Sequence, residues 1–217
     1  MNIGISLVGI SHLDEKYSNL KDSVGREGRT RKYDCCSENI IEKLIKPFQK
    51  NNNVSVYLTT YPNEHIEELI KMYSAKQCLL QNFSLSFMQK TYCESLRQLL
   101  DQNLDFIIST RFDILFEKDM STLNYDYDKM NVLFREKNHN HLNFTCDNYF
   151  AFPKKMIRQF SDSIMELFNS GQTNGLHGTV HHLSTKIGYE NIKILDKNDQ
   201  LGKDNIYYYL PHCIFRS

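Results

Sequence analysis

The sequence predicts a single α/β domain. A βαβαβα half, about residues 1–115, is expected to carry a mainly parallel central sheet with helices on both faces, and a mixed half, about 116–217, to follow it. Three observations lead there. Through the first half, short apolar runs rich in β-branched residues alternate with segments whose apolar positions recur every three to four residues. The second half has briefer apolar runs around one strongly amphipathic helix. No stretch rich in Pro, Gly or Ser divides the 217 residues, and no segment repeats, so one domain is expected.

Residues 3–10 read as the first strand. The run turns polar after Ile10 and has no basic region ahead of it, so it is too short for a signal peptide or a membrane span, which takes about 20 apolar residues. A polar, basic loop, GREGRTRKYD, follows. Residues 37–50 place Ile40, Ile41, Leu44, Ile45 and Phe48 on one helical stripe, and 54–60 alternate as a strand. Pro62 fits the first turn of a helix whose inner face is Ile66, Leu69, Ile70 and Tyr73. KQCLLQNF is a short strand. Residues 84–102 line up Leu85, Met88, Tyr92, Leu96 and Leu99 on a helix, and DFIISTRFDILF, 105–116, is the fourth strand.

Beyond it, MNVLFRE and FTCDNYFAF read as strands antiparallel to the others. Pro153 opens a helix with Ile157, Phe160, Ile164 and Leu167 inward, 176–187 form another, and IKIL and IYYYL are late strands.

Composition removes several classes of function. Lys plus Arg number 26 and Asp plus Glu number 26, so the chain lacks the basic excess of a general nucleic-acid binder. At 41% hydrophobic residues it can bury a core. Cysteines 35, 36, 78, 93, 146 and 213 form no C-x-x-C pair, which argues for reduced thiols and a soluble, cytoplasmic chain. The sequons at Asn82 and Asn143 matter only on a secretory route. There is no G-x-x-x-x-G-K-[ST], no G-x-G-x-x-G after the first strand, no G-x-S-x-G and no H-E-x-x-H.

The informative stretch is the fourth strand. Its apolar run Phe106-Ile107-Ile108 climbs to Ser109-Thr110-Arg111-Phe112-Asp113. In open α/β sheets ligands bind beyond the carboxyl ends of the parallel strands, which is where Arg111 and Asp113 fall. A carboxylate there suits Mg²⁺ or Mn²⁺ bridging to a substrate phosphate. The arginine either clamps phosphate oxygens in two-pronged fashion or holds the carboxylate ionised and oriented. The alternative is an ion pair that merely finishes a strand. Thr60 and Tyr61 end the second strand, where a ribose or base contact fits and the ring of Tyr61 suits stacking. Gln89 and Lys90, on the helix before the fourth strand, are expected to face the nucleotide.

A nucleotide-like βαβαβα opening, a strand ending in TRFDILF, and CDNYFAFPKKM some thirty residues on resemble GT-A glycosyltransferases. They are most similar to the small sugar transferases that large algal DNA viruses and some bacteria use for surface glycans. The resemblance spans roughly residues 1–170 and implies a nucleotide-binding half (about 1–115), an acceptor half (about 116–217), a nucleoside-diphosphate sugar donor and a glycan or glycoprotein acceptor. In that family a D-x-D triad carries Mn²⁺ or Mg²⁺ at this strand end. Here the triad reads Arg111-Phe112-Asp113, keeping only the second acid. By the same resemblance, Arg26, Arg29 and Arg31 of GREGRTRKYD face the diphosphate, and Asp147 sits by the acceptor as the base of an inverting transfer. A late histidine completes the cation shell in some such enzymes, for which His212 is the candidate. His177 and His181, four apart, would share a helical face, with His182 beside them. The expectation is a metal-assisted glycosyltransferase. Its alternatives are a Mg²⁺-dependent phosphoesterase using Asp113 and Asp147, and a non-catalytic domain that binds glycan or nucleotide.

Overall fold

A computed structural model describes residues 1–9, 11, 34–82, 88–134, 145–171, 176, 178–195 and 207–209. The strands are β1 (Asn2–Val8), β2 (Asn53–Thr60), β3 (Gln77–Leu80), β4 (Phe106–Arg111), β5 (Ile114–Phe116), β6 (Met130–Val132), β7 (Tyr149–Pro153), β8 (Ile192–Ile194) and β9 (Tyr207–Tyr209). Seven of them form one sheet in the order β3-β2-β1-β4-β7-β6-β8, while β5 and β9 pair separately. The pairs β1–β2, β1–β4, β2–β3 and β6–β8 are parallel. Strand β7 runs antiparallel to both neighbours, β4 and β6. The mainly parallel α/β sheet expected from the sequence is therefore present.

Alternation along the strands builds two cores. Ile3, Ile5, Leu7, Phe106, Ile108, Tyr149 and Ala151 project to one face, and Tyr57, Ile107, Phe150 and Phe152 to the other. The first face is covered by α1 (Asp34–Ile40), a π-helical turn (Ile41–Ile45), α2 (Lys46–Gln49) and α3 (Ile66–Met72). The second is covered by α4 (Met88–Arg97), α5 (Ile157–Asn169) and α6 (Thr179–Ile187). The stripe Ile40, Leu44, Ile45 and Phe48 is buried as read. Its helix widens ahead of Pro47, which has no N–H to donate, and the Lys46 N–H reaches back five residues to the Ile41 carbonyl.

Three local expectations are corrected. Pro62 is not in a helical first turn, because α3 starts only at Ile66. Asn63 diverts the chain: its Oδ1 accepts the His65 N–H (2.9 Å) and its amide donates to the Tyr61 carbonyl (2.9 Å), a side-chain turn that competes with helix. Pro153 ends β7 opposite Phe106, a position at a strand end that tolerates a missing donor, and a 3-10 turn (Lys154–Met156) precedes α5. Strand β6 is antiparallel to β7 but runs in the same direction as β1–β4, and apolar periodicity carries no information about direction.

Phe160 of α5 is fully buried, with its ring 5.0 Å from Phe150 and 5.2 Å from Phe152. Phe160→Ala is expected to cost about 3–5 kcal/mol. A shift of the urea midpoint at unchanged m-value would show it, and an unaltered midpoint would refute this packing.

Candidate functional site

The parallel strands end together. In register, Val8 of β1 stands beside Arg111 of β4 and beside Thr59 of β2. Gly9 then turns the chain with φ +111°, a conformation that side chains avoid, and its N–H donates to the Thr59 carbonyl (3.0 Å). Because β7 is antiparallel, its amino end meets the same edge, and Tyr149 pairs with Thr110. The Asp147-Asn148 loop is thereby brought to the tip of β4.

Phe112 anchors the turn after β4. It is 2% exposed, and its ring packs 6.2 Å from that of Tyr73. Its burial leaves Arg111 and Asp113 to face each other two residues apart. The guanidinium grips the carboxylate with both prongs, Nε to Oδ1 at 2.8 Å and Nη2 to Oδ2 at 2.6 Å. The side chains are 11% and 14% exposed, so this charge-assisted pair is far less screened than a surface salt bridge. Arg111 Nη1 also donates to Asn148 Oδ1 (3.3 Å). Behind the turn, Asn39 of α1 holds both backbone groups of Phe116, which fixes β5.

The Asp147-Asn148 loop is tied to β4 as well. Thr110 Oγ1 donates to the Asn148 carbonyl (2.8 Å), and the Asn148 N–H donates to Cys146 Sγ (3.4 Å). Asp147 is half-buried. Below it, burial drives the Tyr92 phenol above its ordinary range against the opposing hydroxyl of Ser109, and the Asp147 charge adds to the rise.

At the other end of the edge, Thr60 and Ser11 share a hydroxyl contact of 2.8 Å, and the Ser11 N–H donates to Thr60 Oγ1 (3.2 Å). Tyr61 is 8% exposed, and its hydroxyl meets Thr91 Oγ1 of α4 at 3.0 Å, so most of the ring is covered by the fold. Gln89 is half-buried in the first turn of α4, whereas Lys90 turns toward α5, its Nζ 5.2 Å from the centre of the Phe168 ring. His181 contacts Tyr189 Oη (2.6 Å) and His182 contacts Glu166 (2.7 Å) on the α5–α6 side.

Arg26, Arg29, Arg31, His177 and His212 lie outside the described residues. Among the described residues no group of three His, Cys, Asp or Glu side chains is placed to hold a metal ion. Strand β9 nevertheless pairs Tyr209 with Ile114, the residue after Asp113. Ser11, Thr91 and Asn148 join this edge without having been singled out in the sequence. Asn148 stood next to Asp147 in CDNYFAF, but its role depends on a partner 37 residues away.

No protein-family model matches the chain, and no curated protein matches it. Among solved structures, the chain is similar to the apo form of the glycosyltransferase GlyE of Streptococcus pneumoniae TIGR4, with a TM-score of 0.50 and 11% identity. The two share a fold. The match covers 89% of this chain and 44% of that one, so the chain corresponds to less than half the length of its structural neighbour. No described helix is long and apolar enough to cross a membrane.

Proposed function

We propose that this chain is a glycosyltransferase that moves a sugar from a nucleoside-diphosphate sugar to a glycan or glycoprotein acceptor. The observation that carries the reading is the meeting of the Arg111–Asp113 pair with the Asp147-Asn148 loop at the carboxyl edge of the parallel strands. Ligands of open α/β sheets bind at such an edge, and the fold is shared with a glycosyltransferase.

In this reading the donor diphosphate lies over the ends of β1 and β4, with Thr60, Tyr61 and Gln89 toward the nucleoside and Arg29 adding charge from the first loop. Arg111 presents fixed positive charge where negative charge builds on the departing nucleoside diphosphate. Asp147 accepts the proton of the acceptor hydroxyl as its oxygen bonds the anomeric carbon and the bond to the diphosphate breaks. The carboxylate of Asp113 is the kind of hard oxygen donor that a divalent cation bridging to a diphosphate takes. Asp113 and His212 would hold Mn²⁺ or Mg²⁺, which supplies Lewis-acid charge to the diphosphate.

Titration calorimetry with a nucleotide-sugar panel, with and without Mn²⁺, tests the reading together with product analysis. Binding followed by transfer to an acceptor supports it. Phosphate release without transfer would instead make the protein a phosphoesterase, and binding without turnover a glycan- or nucleotide-binding domain. Arg111→Lys is expected to weaken nucleoside-diphosphate affinity about ten- to a hundredfold, because an ammonium cannot span both Asp113 oxygens and also face a phosphate. Matched dissociation constants would remove Arg111 from the phosphate site.

A further inference from the structure

We propose that a buried water molecule is bound between α4 and the centre of the sheet, held by the hydroxyls of Ser6, Ser109 and Tyr92. The inference rests on packing and hydrogen bonding alone, so it stands or falls apart from the function proposed above.

Strand register lays a row of side chains across the sheet. Tyr57 of β2 stands beside Ser6 of β1, Ser6 beside Ser109 of β4, and Ser109 opposite Phe150 of β7. Ser6 lies between Ile5 and Leu7, and Ser109 follows Ile108, and these three apolar residues belong to the core under α1–α3. Alternation therefore turns both serines toward α4, the face on which Tyr57 and Phe150 pack. Two short side chains in the middle of the row leave a recess between two large rings. Tyr92 of α4 covers it, fully buried, its ring edge-on to that of Phe150 at 5.6 Å. One row below, the space over Gly4 is filled by Leu104, whose Cδ1 would lie 2.6 Å from an added Cβ. One row above stand Val8 and Arg111, at the strand tips.

Ser6 and Ser109 are both 0% exposed. Among the described residues, no protein atom meets Ser6 Oγ, Ser109 Oγ or Tyr92 Oη at hydrogen-bonding geometry. Ser109 lies near enough to oppose the rise of the Tyr92 phenol, yet the two hydroxyls do not meet. A hydroxyl taken out of water without a partner costs stability, and here three elements each bring one to the same recess. Buried polar atoms that the chain leaves over are those that internal waters serve, each water making about two to four hydrogen bonds. The occupant has to donate and accept, because every hydroxyl does both. Three neutral hydroxyls bring no charge to replace the hydration of an ion. Water meets both conditions, and it joins β1, β4 and α4 two residues below the strand tips.

The test uses the full chain. Oxygen-17 relaxation dispersion counts the long-lived internal waters of the parent and of Ser109→Val, which fills the recess and removes one partner. With the fold checked by thermal melting, the variant is expected to hold fewer by about one water per chain. If Ser109→Val does not fold, Ser6→Ala combined with Tyr92→Phe takes its place. That pair removes two of the three hydroxyls without adding bulk, and the same loss is expected. A high-resolution crystal structure of the parent should place a water within about 2.5–3.0 Å of at least two of the three oxygens. An unchanged count in a folded variant overturns the site. A direct Tyr92–Ser109 hydrogen bond in the crystal, with no water between α4 and the two serines, overturns it equally.

Discussion

Asp113→Asn is expected to leave a folded protein whose transfer rate is lower by about a thousandfold or more. The carboxylate does two things at once. It holds Arg111 by two short bonds at a site where both side chains are nearly buried, and in the proposed function it would be the acid that holds the cation. An amide keeps the shape but offers one acceptor in place of two, and it leaves the guanidinium charge unmatched. The lost charged hydrogen bond is worth about 2 kcal/mol, which for a domain of this size lowers the melting temperature by about 4–8 °C. Calorimetric melting and transfer assays with and without Mn²⁺ separate the two effects. Parental turnover in the folded variant would remove Asp113 from the mechanism. A parental melting temperature would show that the ion pair contributes nothing to the fold.

The second large effect is placed on Asp147. Asp147→Asn is expected to bind nucleotide-sugar as the parent does and to transfer about 10²–10⁴-fold more slowly. The loss should appear in kcat more than in donor KM, the pattern of an interaction made chiefly in the transition state. The pH dependence supplies a sign. In the parent the rate should fall as pH drops and the carboxylate takes up a proton, and Asp147→Asn should lack that acidic limb. The base assignment fails if transfer is undiminished. It fails equally if donor affinity and rate fall in parallel, since Asp147 would then belong to the nucleotide site or to the fold.

Much of the frame was legible because it depends on local periodicity. Ile40, Leu44, Ile45 and Phe48 declared a helix, and they are buried as one. The run Phe106-Ile107-Ile108 declared a buried strand, but 105–116 was read as a single strand, whereas β4 stops at Arg111 and Ile114–Phe116 leave the sheet to pair with β9. The reading failed where a side chain or a partner strand claims the backbone. Pro62 and Pro153 each carried a helix-start signal. Asn63 captured its neighbours' backbone groups in one case, and a partner strand claimed Pro153 in the other.

The candidate site was legible as residue types at a strand end, but not as bonds. Arg111 and Asp113 are two apart, and a sequence allows them to face either each other or a ligand. Their mutual grip follows from Phe112 being drawn into the core between them. Asn148 was invisible for a different reason, since its partner is fixed only when β7 pairs with β4. The stacking surface read into Tyr61 met a similar limit, because most of the ring is covered and its hydroxyl is engaged by Thr91.

The ladder between β5 and β9 has a consequence in time. Strands β1, β2 and β4 can associate once Arg111 has left the ribosome, and β7 can join soon after. Ile114 must wait for Tyr209, which is made much later, so the strand following Asp113 has no partner for most of synthesis. The ladder joins three residues on each side across a long intervening stretch of chain, and closing so large a separation makes such a contact slow to form. It should also be among the earliest to open in the finished protein, exchanging its amide hydrogens before those of β1 and β4. The nascent chain therefore assembles β1, β2, β4 and β7 before the surroundings of Asp113 are complete.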